Sequence, residues 1–215
     1  MGRTYHYIGP HDLRGSISER RHIQQPQDVK DWIIQTAQQP EHGRIVATFI
    51  VDTSGKLWIA DRRSEHVACA AGQSVLSAGE MTFVVEGKSV YVAEVSNQSL
   101  GYCPEPASWS AVAIALEGSG LPPPSFFTSA YTMRLCEVCG AKNIIKDEVF
   151  MCGVCQSVLA AEWNFECPTR AVQHFAVPNA TRTCSAGCNW LCVRVSRLNF
   201  AVRPLHEVLL CRPSK

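Results

Sequence analysis

The chain has 215 residues, 46% of them hydrophobic and 18% charged, with 11 cysteines and a formal charge of +1; this suffices for one sizeable core or two small ones and excludes wholesale disorder. No apolar run approaches the roughly 18 residues that cross a bilayer, and Met1–Pro10 is polar and aromatic, unlike a secretory signal. We therefore expect a soluble, cytoplasmic protein without a membrane partner.

In chain order, Arg3–Gly9 alternates aromatic and polar residues and reads as a strand ending at Gly9-Pro10. Asp12–Arg21 is a short polar stretch with room for one or two helical turns. Gln27–Gln38 places Val29, Trp32 and Ile33 at helical spacing, with Pro26 before it and Pro40 after it. Arg44–Asp52 is rich in β-branched residues, turns at Thr53-Ser54-Gly55 and returns over Lys56–Asp61. A second hairpin joins Met81–Glu86 to Ser89–Val95 through Gly87-Lys88, a pair suited to a type II′ turn. Pro106–Glu117 reads as a helix with Trp109, Val112, Ala113 and Leu116 on one face. After a stiff Leu121-Pro-Pro-Pro124 connector, Phe126–Leu135 reads as a last strand. The pattern predicts an α+β fold: a mostly antiparallel sheet with two helices over one face, occupying residues 1–130.

The densest chemical signal follows, over residues 131–165. Cys136-x-x-Cys139 and Cys152-x-x-Cys155 are separated by twelve residues. Each pair lets a tight turn aim two thiolates at one ion, and two such knuckles complete a tetrahedral shell of four cysteines, so we expect one structural Zn2+ per chain in a zinc ribbon. Gly140 and Gly153 are expected to relieve crowding at the knuckles, and Asn143–Met151 to form the hairpin that brings them together. An odd number of cysteines with no secretory signal favours this over a disulfide framework.

Weaker signals cluster elsewhere. Glu65, His66 and Cys69 follow one strand, and Asn97 and Cys103 follow another. They can supply a thiol nucleophile with a base, a second metal site or the lining of a ligand-binding pocket. The competing reading is structural: buried cysteines, and Asn97, Ser99 and Pro104 shaping the approach to a helix. Arg62-Arg63 can meet a phosphate or simply be solvated. No deaminase signature, P-loop or dinucleotide-binding glycine motif is present.

The stretches Ala60–Cys69 (ADRRSEHVAC), Val75–Glu80 (VLSAGE), Asn97–Pro106 (NQSLGYCPEP) and Glu162–Phe165 (EWNF) resemble a group of uncharacterised bacterial proteins, over most of residues 3–165. The resemblance implies an N-terminal α+β domain and a C-terminal zinc ribbon that ends at or near the Trp-Asn-Phe. It implies no activity, and it marks residues 166–215 as a departure.

That boundary is also a boundary in charge. Residues 1–165 carry 13 Lys/Arg against 17 Asp/Glu, a net of −4, whereas residues 166–215 carry 7 against 2, a net of +5, together with five cysteines. Cys184, Cys188 and Cys192 recur every four residues, a spacing that matches no metal signature. Two readings compete for this basic, irregular tail. It is an appendage for nucleic acid or an acidic partner, or it is an extension past the usual end, such as translation in a shifted frame; the abrupt change in composition favours the second. The expected function is a zinc-stabilised binding or interaction protein for an unidentified protein or small molecule. The alternatives are an enzyme built on His66 and Cys103, and a nucleic-acid binder that uses ribbon and tail, the only part with the right sign of charge.

Overall fold

Alternation along β2 (Arg44–Asp52) decides the layering. Ile45, Ala47, Phe49 and Val51 point to one face and Thr48 and Ile50 to the other, all buried. A strand buried on both sides has to lie inside a sheet covered twice. In the computed structural model, which describes residues 2–16 and 18–165, β2 is the central strand of five. The others are β1 (Arg20–Ile23), β3 (Leu57–Asp61), β4 (Val75–Glu86) and β5 (Ser89–Val95), in the order β1-β3-β2-β4-β5 with every neighbour antiparallel. The fold is α+β.

The first face carries the larger core. Helix α1 (Pro26–Gln35) contributes Val29 and Trp32, and α3 (Trp109–Gly118) contributes Val112, Ala115 and Leu116, against Phe49, Ile59, Met81 and Phe83 of the sheet. Asp28 fixes the start of α1 by accepting the N–H groups of Gln24 and Gln25 at 2.9 and 3.0 Å and pairing with Arg21 at 3.1 Å. The helix stops short of the expected Gln38. Ala37 turns left-handed at φ +49°, and the Gln38 N–H returns to the Ile33 carbonyl at 3.0 Å. The opening of the expected 106–117 helix is a 3-10 turn, Pro106–Ser108, and the α-helix begins at Trp109.

The second face is covered as well, which the two long helices alone do not predict. The N-terminal segment lays Tyr5 and Tyr7 on it, the one-turn α2 (His66–Cys69) adds Val67 and Cys69, and Tyr102 packs beside them against Ile50, Ala60 and Ala78. Arg3–Gly9 is not a strand. Only Tyr5 pairs, exchanging hydrogen bonds of 2.7 and 3.0 Å with Val75. Its side chains face a covered sheet, so the aromatic alternation arises from packing without a ladder.

Residues 131–165 continue as a small ribbon. Strand β6 (Thr132–Leu135) pairs antiparallel with β7 (Lys142–Ile145); the expected strand from Phe126 is confined to these four residues. Asn97, just past β5, holds the approach: its Nδ2 donates to the Pro104 and Tyr131 carbonyls, both at 2.8 Å, and its Oδ1 accepts the Tyr131 N–H at 2.7 Å.

Where β4 passes the end of β5 the backbones nearly touch. A Cβ built on Gly79 would lie 1.9 Å from the Ser96 carbonyl oxygen, a backbone atom that cannot step aside. Gly79→Ala is therefore expected to cost at least about 2 kcal/mol, read as a lowered denaturant midpoint at unchanged slope.

Candidate metal centre

Each CxxC caps its own short antiparallel pair. The first knuckle lies between β6 and β7, where the Cys136 N–H donates to the Ala141 carbonyl at 2.8 Å and the Gly140 N–H to the Cys136 carbonyl at 2.8 Å. The second repeats the pattern sixteen residues on: Cys152 N–H to Ser157 carbonyl and Gln156 N–H to Cys152 carbonyl, both at 2.9 Å. Its arms are Phe150–Met151 and Val158–Leu159, joined by the Met151–Val158 bridge and a Leu159 N–H to Phe150 carbonyl bond of 3.0 Å. The expected 143–151 hairpin is thus divided. Lys142–Ile145 pairs backward with β6, residues 150–151 pair forward with 158–159, and only the Lys146–Val149 turn links them.

The two knuckles bring Cys136, Cys139, Cys152 and Cys155 together with all four sulfurs within 4.8 Å of one another; Cys136 and Cys155 are 3.5 Å apart, Cys139 and Cys152 3.6 Å. A tetrahedron with metal–sulfur bonds of about 2.3 Å has edges of about 3.8 Å, so this set can hold a metal ion with little adjustment. The donors around the sulfurs suit thiolates. Ser157 Oγ lies 3.2 Å from Cys136 Sγ and 2.8 Å from Cys155 Sγ, the Val154 N–H donates to Cys152 Sγ at 3.4 Å, and Asn143 Nδ2 does so at 3.7 Å. Asn143 Oδ1 also accepts the Gly153 N–H at 3.0 Å, which ties one knuckle to the other.

The Ser157 hydroxyl and the Cys139 and Val138 N–H groups pull the Cys136 thiol down to about 6. Cys139 moves the other way, to about 12: the Ala141 N–H lowers it, but desolvation and the three facing sulfurs outweigh that. All four can be thiolates at this spacing only with a cation among them.

The glycine expected to relax the second knuckle is not the one that does. The residue four after the first cysteine of each knuckle is left-handed: Gly140 at φ +74° and Gln156 at φ +60°. Gly153 has no positive φ, and its role is to offer its N–H to Asn143. Backbone symmetry between the knuckles, which the CxxC spacing does not express, identifies Gln156 as the strained position.

The weaker candidates lie apart from the cluster. Cys69 is fully buried against the second face, its thiol 3.8 Å from the Trp58 carbonyl; Cys103 is fully buried with Met133 and Phe165, its thiol 3.6 Å from the Leu100 carbonyl. Burial pushes both thiols up to about 12. His66 bonds through Nε2 to the Gly79 carbonyl at 3.0 Å, and desolvation drops it to about 4 despite that bond. Glu65 is exposed and caps α2, its carbonyl accepting the Ala68 and Cys69 N–H groups at 3.0 and 3.1 Å. Among the described residues no hydrogen bond joins His66 to either thiol, and Asn97 spends its amide on backbone. Arg62 and Arg63 are exposed, on a turn where Asp61 accepts the Arg63 N–H at 2.8 Å. Cys184, Cys188 and Cys192, with the rest of the basic tail, lie outside the described residues.

The Trp-Asn-Phe motif carries a job that spacing alone does not reveal. Trp163 Nε1 donates to the Cys103 carbonyl at 2.8 Å, Asn164 exchanges 2.9 and 2.8 Å bonds with the Leu135 backbone, and Phe165 is buried beside Met133. The motif fastens the ribbon to the α+β domain. The protein is thus an α+β domain bearing a docked four-cysteine ribbon. Comparison with protein-family models, curated proteins and solved structures gave no match.

Two outcomes follow from these geometries. Gln156→Gly removes the cost of a left-handed non-glycine residue and should stabilise the metal-bound ribbon by about 1 kcal/mol, seen as roughly fivefold slower loss of metal to a competing chelator. His66 is held neutral in the fold below its unfolded pKa, so protons favour the unfolded chain as pH falls from about 6.5 toward about 4. Over that window the parent should lose stability relative to His66→Gln, in denaturation midpoints measured at each pH.

Proposed function

We infer that this protein is a binding module of the bacterial cytoplasm whose ribbon is held by one structural Zn2+, a member of the bacterial group that residues 3–165 resemble. The observation that carries the reading is the convergence of four thiols, and only thiols, on one point. Zinc is the ion whose geometry and softness fit a compact tetrahedral set of four sulfurs without redox chemistry. Four protein ligands leave no open position for water or substrate, so the ion's part is to hold backbone in place. All six cysteines of the described residues are unpaired thiols, in keeping with a reducing compartment. No helix of the described residues is long and apolar enough to cross a membrane.

Binding is favoured over catalysis because the candidate nucleophiles are packed away. Cys69 and Cys103 are buried, carbonyl-bonded and hard to ionise, and His66 is committed to Gly79. The ribbon, by contrast, presents apolar side chains to solvent. Val138 and Val154, the third residues of the two knuckles, are exposed, as are Met151 and Val158, a surface of the kind that partners cover.

Metal analysis of the purified full chain should find one equivalent of zinc, and Cys152→Ser should reduce it to below about a tenth of that. Metal-free protein whose ribbon amides keep their native protection from exchange would overturn the reading.

A further inference from the structure

Where the ribbon meets the N-terminal segment, Tyr7, Ile8, Leu135 and Phe165 wall a cavity of about 360 Å3 that Arg14 and Lys142 also line. His11 adds an imidazole, and among the described residues no carboxylate contributes to the lining. Among the described residues neither Arg14 nor Lys142 is in an ion pair. Their hydrogen bonds run to backbone carbonyls: Lys142 Nζ to Leu100 at 2.6 Å and Ile8 at 3.3 Å, Arg14 Nη2 to Tyr7 at 3.3 Å. An ammonium has three donors and a guanidinium five, so each cation is positioned by backbone with donors to spare. The carboxylates that face Tyr7 electrostatically are Glu65 and Asp12, and both stand outside the cavity.

We propose that this cavity binds a small organic anion, a flat apolar body ending in one carboxylate, sulfonate or phosphate-type group. The body would lie between Tyr7, Leu135 and Phe165, and the charge would meet Arg14 and Lys142. The chemistry is that of ligand sites generally: mostly apolar walls, with a few polar groups that orient the guest. Arg14 and Lys142 are exposed, and neither has an ion-pair partner among the described residues. An anion is therefore distinguished from a neutral ligand of the same shape by its attraction to these two cations, an attraction that salt screens. The inference rests on the metal-held ribbon, because Leu135 adjoins the ligand Cys136 and Lys142 opens β7 directly after the first knuckle.

The test uses the full chain at low ionic strength, with zinc content measured on the same sample and 1-anilinonaphthalene-8-sulfonate as the fluorescent probe. We expect one saturable site per chain. The double variant Arg14→Gln/Lys142→Gln should weaken it at least tenfold while keeping one zinc per chain, and the neutral N-phenyl-1-naphthylamine should bind at least tenfold more weakly than the sulfonate. With zinc present at one equivalent, the absence of saturable binding, or binding indifferent to the double substitution, would overturn the pocket and leave the metal reading standing. Zinc missing from the parent chain would overturn the metal reading itself.

Discussion

Arg134 is a guanidinium with only 6% of its side chain exposed, and burying such a charge costs several kcal/mol unless its donors are met. They are met by three separate parts of the chain. Nε and Nη2 donate to the Ala161 carbonyl at 3.1 and 2.8 Å, and Nη1 donates to the Met133 carbonyl at 2.7 Å and to Glu105 at 2.9 Å. Glu105 stands just before α3 in the α+β domain, Met133 is in β6 and Ala161 is on the return from the second knuckle. A ribbon swung away from the domain would leave the charge unpaired, so one side chain ties the ribbon's orientation to the integrity of both halves. Trp163, Asn164 and Phe165 close the same seam from the other side.

The candidate thiols are held by packing, Cys103 in the seam and Cys69 on the second face of the sheet. The Cys103 carbonyl is the acceptor for Trp163, and its side chain fills the seam with Met133 and Phe165. Cys69 sits under Arg20, which donates to its carbonyl at 2.8 Å and lies 4.2 Å from the Trp58 ring centre. Burial makes a thiolate costly at both sites and outweighs the favourable charges of Arg20 near Cys69 and Lys142 near Cys103, whereas the ribbon sulfurs are ringed by N–H and O–H donors. Two cysteine environments among the described residues thus differ: buried thiols packed as apolar filler in one, four sulfurs converging among hydrogen-bond donors in the other.

How much of this is readable from residue order depends on which force shapes each element. Arg44–Asp52 and Ser89–Val95 have the predicted limits because β-branched residues and a hairpin turn act locally there. The CxxC pairs are readable because metal geometry demands that spacing. β1 is not readable: Arg20, Arg21 and His22 carry no apolar alternation, and the strand exists because the β3 edge offers hydrogen bonds and Trp58 offers a stacking surface 5.0 Å from His22. The first half of β4 is hidden for a related reason. Ser77, Ala78 and Gly79 are poor strand formers: Ser77 meets the Ser108 hydroxyl, Ala78 packs with Val67 and Cys69 of α2, and Gly79 admits the backbone just past β5. The seam is invisible for the general reason that it joins Arg3, Glu105, Arg134 and Trp163, residues distant in sequence.

The fully buried part of the ribbon's own core is Cys136, Cys152 and Leu159, with Ala141, Ile145 and Phe150 partly buried against it, and two of the three buried residues are ligands of the inferred ion. So small a core does little to offset the conformational entropy of some thirty residues; the seam and the inferred ion would supply the rest. Binding of the inferred ion would then be coupled to what the ribbon positions, including Leu135 and Lys142 at the cavity. If the ion stabilises the conformation that receives an anion, the anion stabilises the conformation that retains the ion, by the same factor. An ion bound there would then be more than inert scaffolding, because one coupling free energy would link its affinity to that of the cavity.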